Sequence, residues 1–264
     1  MNTHGHDKNG LLAQLPMHVC ERLHPDFELV DMEPGKVLDE EGDRQHRVFF
    51  PRSGVVSLLR VLKNGDTGEV AMVGNEGLVG ISLLVDGYRT TTRAVVQIAG
   101  QAWCLRAEAV AREFRQDSEF QDLVLRYTQA MMSQMAQVIM CARRHSIRRQ
   151  LCRWLLLSFD RIGVNELRVT HERMASALGI RREGVTEIIG RLQNGGFIQG
   201  ARGEITLLDR NGLEQQSCEC YQVIRDEYAR LRITQESPAT DSLQHPLNQT
   251  RKSPASGSVE STRH

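Results

Sequence analysis

THERMASALGIRREGVTEIIGRLQNGGFIQGARGEITLLD, residues 170–209, decides how this chain is read. The pattern predicts a short helix over 171–178, a turn at Gly179-Ile180, and a second helix over 182–194 that Gly195-Gly196 ends. In the second helix Val185, Ile188, Ile189 and Leu192 recur at i, i+3, i+4 and i+7, a single apolar stripe. The opposite face carries Arg182, Glu183, Thr186, Glu187 and Gln193 and no apolar side chain, so it has no need of the protein core. In the first helix Thr170 is placed to N-cap, and Met174, Ala175 and Leu178 face inward. Two short β-runs at 197–199 and 204–208 flank the glycine-rich turn 200–203, a hairpin signal. Helix, turn, helix and hairpin in that order are the layout of a winged helix-turn-helix, which places its second helix in the major groove of DNA. The expected DNA contacts are Arg181, Arg182, Glu183, Thr186, Glu187 and Gln193, with Arg202 at the hairpin tip beside a phosphate. The plainer alternative is a helical hairpin with a solvated polar face, against which the glycine-ended hairpin speaks. For Arg202, an exposed arginine without a role stays an equal alternative.

Charge distribution points the same way. The 264 residues carry no net charge, which taken alone argues against a general nucleic-acid binder. Yet residues 1–140 hold 14 Lys/Arg against 19 Asp/Glu, residues 141–203 hold 12 Arg against 5 Asp/Glu, and residues 204–264 hold 7 against 9. The basic segment coincides with the helix-turn-helix, as phosphate binding requires.

Other classes find less support. The polar N-terminus lacks a signal-peptide core, and no apolar run approaches the roughly 18 residues of a membrane span, so a soluble, cytoplasmic protein without membrane contact is expected. Six cysteines show no C-x-x-C pair. Reduced buried thiols are the default. Cys218-Glu219-Cys220 is a C-x-C pair of the kind that redox or metal chemistry uses, but no further ligand stands at ligand spacing. No metal site and no cofactor are therefore expected. No nucleophile–base pair or Walker-type phosphate loop is present, so the chain does not read as an enzyme.

Upstream the pattern changes. From residue 27 to 105 short apolar runs alternate with turn signals, among them Pro34-Gly35, Ser53-Gly54, Asn64-Gly65 and Val85-Asp86-Gly87. Such spacing predicts a β-roll of jelly-roll type, with a short helix over 11–23 laid on it. Residues 117–143 form one long helical stretch, with Phe120, Val124, Tyr127, Met131, Met135, Val138 and Ala142 spaced 4, 3, 4, 4, 3 and 4 apart. That is close to a coiled-coil seam, and it predicts a homodimer joined along these residues. A single helix buried within a monomer is the competing reading. Residues 145–160 form a further helix, packing Ile147, Leu151, Trp154 and Leu155 under the winged module with Arg148, Arg149 and Arg153 on its polar side. Residues 213–231 form one closing helix that carries the C-x-C pair, and the Ser-, Thr- and charge-rich tail 234–264 lacks an apolar period and reads as disordered. The fold class is thus α+β: a roll over 1–116, a dimerisation helix over 117–144, a winged helix-turn-helix over 145–233, and the tail.

Over roughly 15–230 this arrangement resembles the Crp/Fnr family of transcription regulators. DMEPGKVLDEEGD at 31–43 is similar to the start of the family's cyclic-nucleotide-binding-like roll, VFFPRSGVVSLL at 48–59 to its next hairpin, and GIRREGVTEIIGRL at 179–192 to its recognition helix. The resemblance implies an effector-modulated, sequence-specific, DNA-binding homodimer, double-stranded DNA with a pseudo-palindromic operator as partner, and RNA polymerase as a further candidate. The alternative is a ligand sensor or adaptor that uses the roll and keeps a vestigial DNA module. The resemblance also places an effector pocket at Gly80, Ile81, Ser82, Thr92, Arg93 and Ala94. There Ile81 stands in place of the carboxylate that holds a cyclic nucleotide's ribose, and Arg93-Ala94 in place of the Arg-Ser pair that holds its phosphate. An isoleucine accepts no hydrogen bond, so cyclic-nucleotide binding is not expected, and the effector is left without a name. The partner of Arg93 is then either an anionic effector or an internal carboxylate such as Glu69 or Glu76, the internal one being favoured. In the recognition helix Glu187 replaces a frequent arginine and Arg181 a frequent Ser or Thr cap, so the preferred operator departs from the family's usual sites.

Overall fold

The computed structural model describes residues 8–84, 89–201 and 203–233. The Val85-Asp86-Gly87 turn, Arg202 and the tail lie outside the described residues.

Seven strands form the roll: β1 (Glu28–Met32), β2 (Val37–Asp39), β3 (Arg47–Pro51), β4 (Val55–Val61), β5 (Thr67–Val73), β6 (Arg93–Ile98) and β7 (Gly100–Arg106). They make two antiparallel sheets, ordered β1-β7-β3 and β2-β6-β4-β5. The Asn64-Gly65 turn joins β4 to β5, closed by the Leu62 amide on the Asp66 carbonyl at 2.8 Å. Residues 55–59 of β4 are all buried, without the inside–outside alternation of a one-sided sheet. Helices cover the outer face of this sheet, so both sides of the strand are dry.

The predicted helix over 11–23 breaks at Pro16, which leaves a 3₁₀ turn (Leu12–Gln14) before α1 (Met17–Leu23). After the roll come α2 (Ala107–Gln116) and the long α3 (Ser118–Arg144). Asp117 N-caps α3 by accepting from the Phe120 amide at 3.0 Å. That bond, with His18 beside the carboxylate, holds the Asp117 pKa down to about 2.

Of the dimer seam expected on α3, the first half is covered by the chain itself, while Ala142 at its end is exposed. Phe120, Val124 and Tyr127 are fully buried and Met131 is 3 % exposed, packed within the chain's own core, with Met135 and Val138 half-buried against it. The Tyr127 hydroxyl donates to the Leu78 carbonyl of the roll at 2.8 Å, and its ring lies 6.4 Å from that of Tyr228. These side chains serve intramolecular packing. The exposed large apolar residues of α3 are Leu125, Met132, Ile139 and Met140.

The C-terminal module comprises α4 (Ile147–Ile162), β8 (Glu166–Arg168), α5 (His171–Leu178), α6 (Arg182–Asn194), β9 (Ile198–Ala201), β10 (Glu204–Leu207), α7 (Arg210–Gln216) and α8 (Cys220–Ile233). Its three strands form a sheet ordered β8-β10-β9, in which β8 was not foreseen. Helix α4 is buried nearly all round between roll, α7 and α8. Leu151, Trp154, Leu155 and Leu156 are fully buried, each such burial contributing about 1.5–3 kcal/mol or more. Arg153, expected on a polar side, is only 3 % exposed, because α4 has no solvated face at that point. The module is tied to the roll by polar bonds as well. The Trp154 indole donates to Glu69 at 3.2 Å, and Ser57 donates to the same carboxylate. Burial pushes the Glu69 carboxyl above its ordinary range.

Candidate nucleic-acid interface

Gly179 ends α5 in the left-handed conformation, φ +64°, and the Gly179 and Ile180 amides close the turn on the Ser176 and Ala175 carbonyls. A β-carbon is disfavoured at that φ, so glycine sets the angle at which α6 departs. Val185, Ile189 and Leu192 then bury the inner stripe of α6, with Ile188 half-buried beside them. Arg181, Arg182, Glu183, Thr186, Glu187 and Gln193 are all exposed, as read from the periodicity.

Side-chain partners divide that face. Arg181 stands at the N-cap without capping by its side chain, so the first turn keeps amide donors for an outside group. Arg182 and Glu183 stand exposed in that first turn. Thr186 is held instead by His171 of α5, Oγ1 to Nδ1 2.8 Å. Glu187 pairs with Arg191 one turn on, so its charge is partly compensated. Gln193 donates to the Gly200 carbonyl at 3.2 Å, which fastens the hairpin to the helix. Gly190 lies on the same outward side, and a β-carbon there would meet nothing within 4 Å beyond its chain neighbours and its own helix's backbone. His171 was missed by sequence reasoning, since nothing local distinguishes it from a surface histidine. Burial, and then the charge of Arg182, lower its pKa. Between α6, the start of α5 and the hairpin lies an open concavity of ≈ 530 Å³, lined by Thr170, His171, Arg182, Gln193, Gly200 and Gly203. The concavity joins an exposed helix face, a helix N-terminus and a hairpin edge, three features that suit a phosphate-rimmed groove.

The second expected site behaves differently. Gly80, Ile81, Ser82, Thr92 and Ala94 do line one cavity, joined by Asp39, Gln45 and Met131 of α3. It measures only ≈ 20 Å³, room for about one water, whereas small-molecule pockets run to about 300–1,000 Å³. Gln45 fills it: a β-carbon on Gly80, at φ +114°, would sit 2.5 Å from Gln45 Nε2, which donates to Asp39 at 2.8 Å. Burial lifts the Asp39 pKa to about 6, against the Gln45 bond, and above that pH its charge repels a phosphate. Arg93 is outside the cavity lining and pairs with Glu40 at 3.2 Å. This corrects the expected partner: Glu69 binds Ser57 and Trp154, and Glu76 binds Arg161 at 2.7 Å. Calorimetric titration with cyclic AMP and cyclic GMP is therefore expected to show no micromolar binding. A micromolar Kd abolished by Arg93→Ala would mean that the cavity opens to take the nucleotide.

Known proteins share this geometry. Residues 29–117 match the cyclic nucleotide-binding domain model, and residues 149–216 match the Crp-like helix-turn-helix domain model. The global nitrogen regulator of Synechocystis sp. (strain ATCC 27184 / PCC 6803 / Kazusa) is 26% identical over 205 residues, covering 74% of this chain and 90% of that protein. The structure of FixK2 from Bradyrhizobium japonicum aligns with a TM-score of 0.63 at 15% identity, covering 73% of this chain and 98% of FixK2. A CRP/FNR-family transcriptional regulator of Thermus thermophilus aligns with a TM-score of 0.57 at 23% identity, covering 72% of this chain and 98% of its own. With both domain models matched in order on a roll, a long helix and a winged helix-turn-helix, the chain belongs to the Crp/Fnr family of DNA-binding transcription regulators.

Proposed function

We propose that the chain acts as a homodimer that reads a pseudo-palindromic operator through α6, with RNA polymerase as a further partner. The observation that carries this reading is the outward face of α6, where Arg182 and Glu183 stand exposed beside an uncapped helix start. Arginine donates in a fork to guanine O6 and N7, and glutamate accepts from cytosine N4. Regulation follows from the packing of α4, which bonds to the roll and underlies the winged module. A signal that shifts the roll or α3 changes how the two modules are held, and only one spacing matches successive major grooves.

The test starts with selection of bound sequences from a random DNA pool. Arg182→Ala and Glu183→Ala are each expected to weaken binding to the selected site by about 1–3 kcal/mol, and to relax preference at one base position. Unchanged affinity and preference in both variants would exclude α6 as the reader.

A further inference from the structure

Cys141, His145, Cys218 and Cys220 come together at one point, although 77 residues separate Cys141 from Cys218. Cys141 occupies the last turn of α3, and His145 caps it one turn later. Cys218 and Cys220 lie at the junction of α7 and α8. All four ligand atoms fall within 4.8 Å of one another. Cys141 Sγ is 3.6 Å from Cys218 Sγ, and Cys220 Sγ is 3.4 Å from His145 Nδ1. A tetrahedral zinc centre, with bonds of about 2.3 Å to sulfur and about 2.0–2.1 Å to nitrogen, sets its ligands about 3.8 Å (S to S) and about 3.6 Å (S to N) apart. The observed separations approach those values and are too tight to enclose a cluster of several irons.

The surroundings match as well. Nδ1 of His145 faces the sulfurs, and Nε2 faces the Glu219 carboxylate at 3.3 Å. A histidine that ligates through one nitrogen and donates from the other to a carboxylate is oriented and kept in the ligating tautomer. Gln137 Nε2 donates to Cys220 Sγ at 3.0 Å, a bond that favours the thiolate. Arg153, almost wholly buried, lies against Cys141, and its Nε has no hydrogen-bond partner among the described residues. Three thiolates and a divalent ion sum to one negative charge, which that guanidinium offsets.

We propose that Cys141, His145, Cys218 and Cys220 form a tetrahedral Cys₃His site for a single thiophilic divalent ion, zinc by its ligand set, which fastens α8 and the α3–α4 junction together. Binding discharges three thiol protons to solvent and leaves His145 neutral, so no oxidant or reductant is involved. The C-x-C pair that lacked further ligands in the sequence gains them from the end of α3.

The full chain, purified anaerobically with reductant, is expected to carry one zinc per chain by elemental mass spectrometry. Exchange with cobalt(II) is expected to give the intense visible spectrum of tetrahedral thiolate ligation. Chelation should lower Tm, and added zinc should restore it. Cys218→Ser and Cys220→Ser should lose the metal. Glu219→Gln, at an exposed position that does not threaten folding, should weaken zinc affinity by about 10–100-fold. The proposal is overturned if added zinc neither binds nor raises Tm, if the ion remains in both serine variants, or if the anaerobic protein holds Cys141 and Cys218 as a disulfide.

Discussion

Glu76→Ala is expected to destabilise the protein by about 3–5 kcal/mol, because it leaves a guanidinium buried without its counter-charge. Glu76 is 8 % exposed and Arg161 5 %. Arg161 Nε donates to Glu76 Oε1 at 2.7 Å, and the remaining donors reach Gln134 Oε1 at 2.9 Å and the Leu157 and Met72 carbonyls at 3.2 and 3.3 Å. The face of Tyr228 covers the guanidinium at 5.6 Å. After the substitution these neutral acceptors remain, and the charge has lost its single carboxylate ion-pair partner among the described residues. The double variant Glu76→Leu/Arg161→Met should recover much of the loss, since removing both charges removes the desolvation cost with the attraction. Urea unfolding measures both. A Glu76→Ala variant within about 1 kcal/mol of the parent would show that water reaches Arg161 and that the pair is not a lock. The consequence extends to function, because Glu76 sits on the roll and Arg161 near the end of α4. The same substitution should loosen the winged module from the roll and reduce how far a signal in one is felt by the other.

What could be read from the residues, and what could not, divides along physical lines. Elements fixed by local chemistry were legible. Gly179 needs a left-handed φ, Asn64-Gly65 makes a hairpin turn, and the stripe at Val185, Ile189 and Leu192 has one way to face inward. Features that depend on what a third element covers were not. Arg153 read as an arginine on a polar side, because α4 shows its polar residues without showing that the roll, α7 and α8 enclose it. The metal ligands of α3 stand about one helical turn apart, a common spacing, and acquire meaning only when α8 returns to α3. Glu40 as the partner of Arg93 likewise depends on how β2 pairs with β6, where the register shifts by a bulge. That Ile81 and Ala94 line one cavity could be expected from the resemblance, but Gln45 beside Gly80 could not, since nothing in the sequence directs that side chain there.

Helix α3 shows the limit of periodicity and carries the second large effect. Two rows with heptad spacing run along it, the first apolar at both positions of each heptad and the second large and apolar at one. One, from Phe120 through Met131, holds the aromatic residues and packs into the roll, because those carry the most area to remove from water. The other runs through Leu125, Met132 and Ile139, each seven residues after the last, and these are 52, 60 and 56 % exposed, with Gln129, Ala136 and Arg143 exposed at the alternate positions. Spacing alone does not rank the two stripes. Burial does: the second stays uncovered in the single chain, and it is the one that the proposed dimer would cover. Light scattering is therefore expected to give a dimer for the parent protein and a monomer for Met132→Glu/Ile139→Glu, whose charges would meet their symmetry mates across the seam. Losing the dimer removes the intramolecular advantage of the second half-site, so affinity for the selected operator should fall by about 10²–10⁴-fold while thermal stability of the subunit changes little. Met131→Glu should behave in the opposite way: at 3 % exposure the charge enters the subunit's own core and unfolds it rather than separating two folded chains. A parent protein that is monomeric at micromolar concentration, or a Met132→Glu/Ile139→Glu variant that stays dimeric, would place the interface elsewhere. The difference between a folded monomer from the outer stripe and an unfolded chain from the inner one separates a subunit contact from a core contact on the same helix.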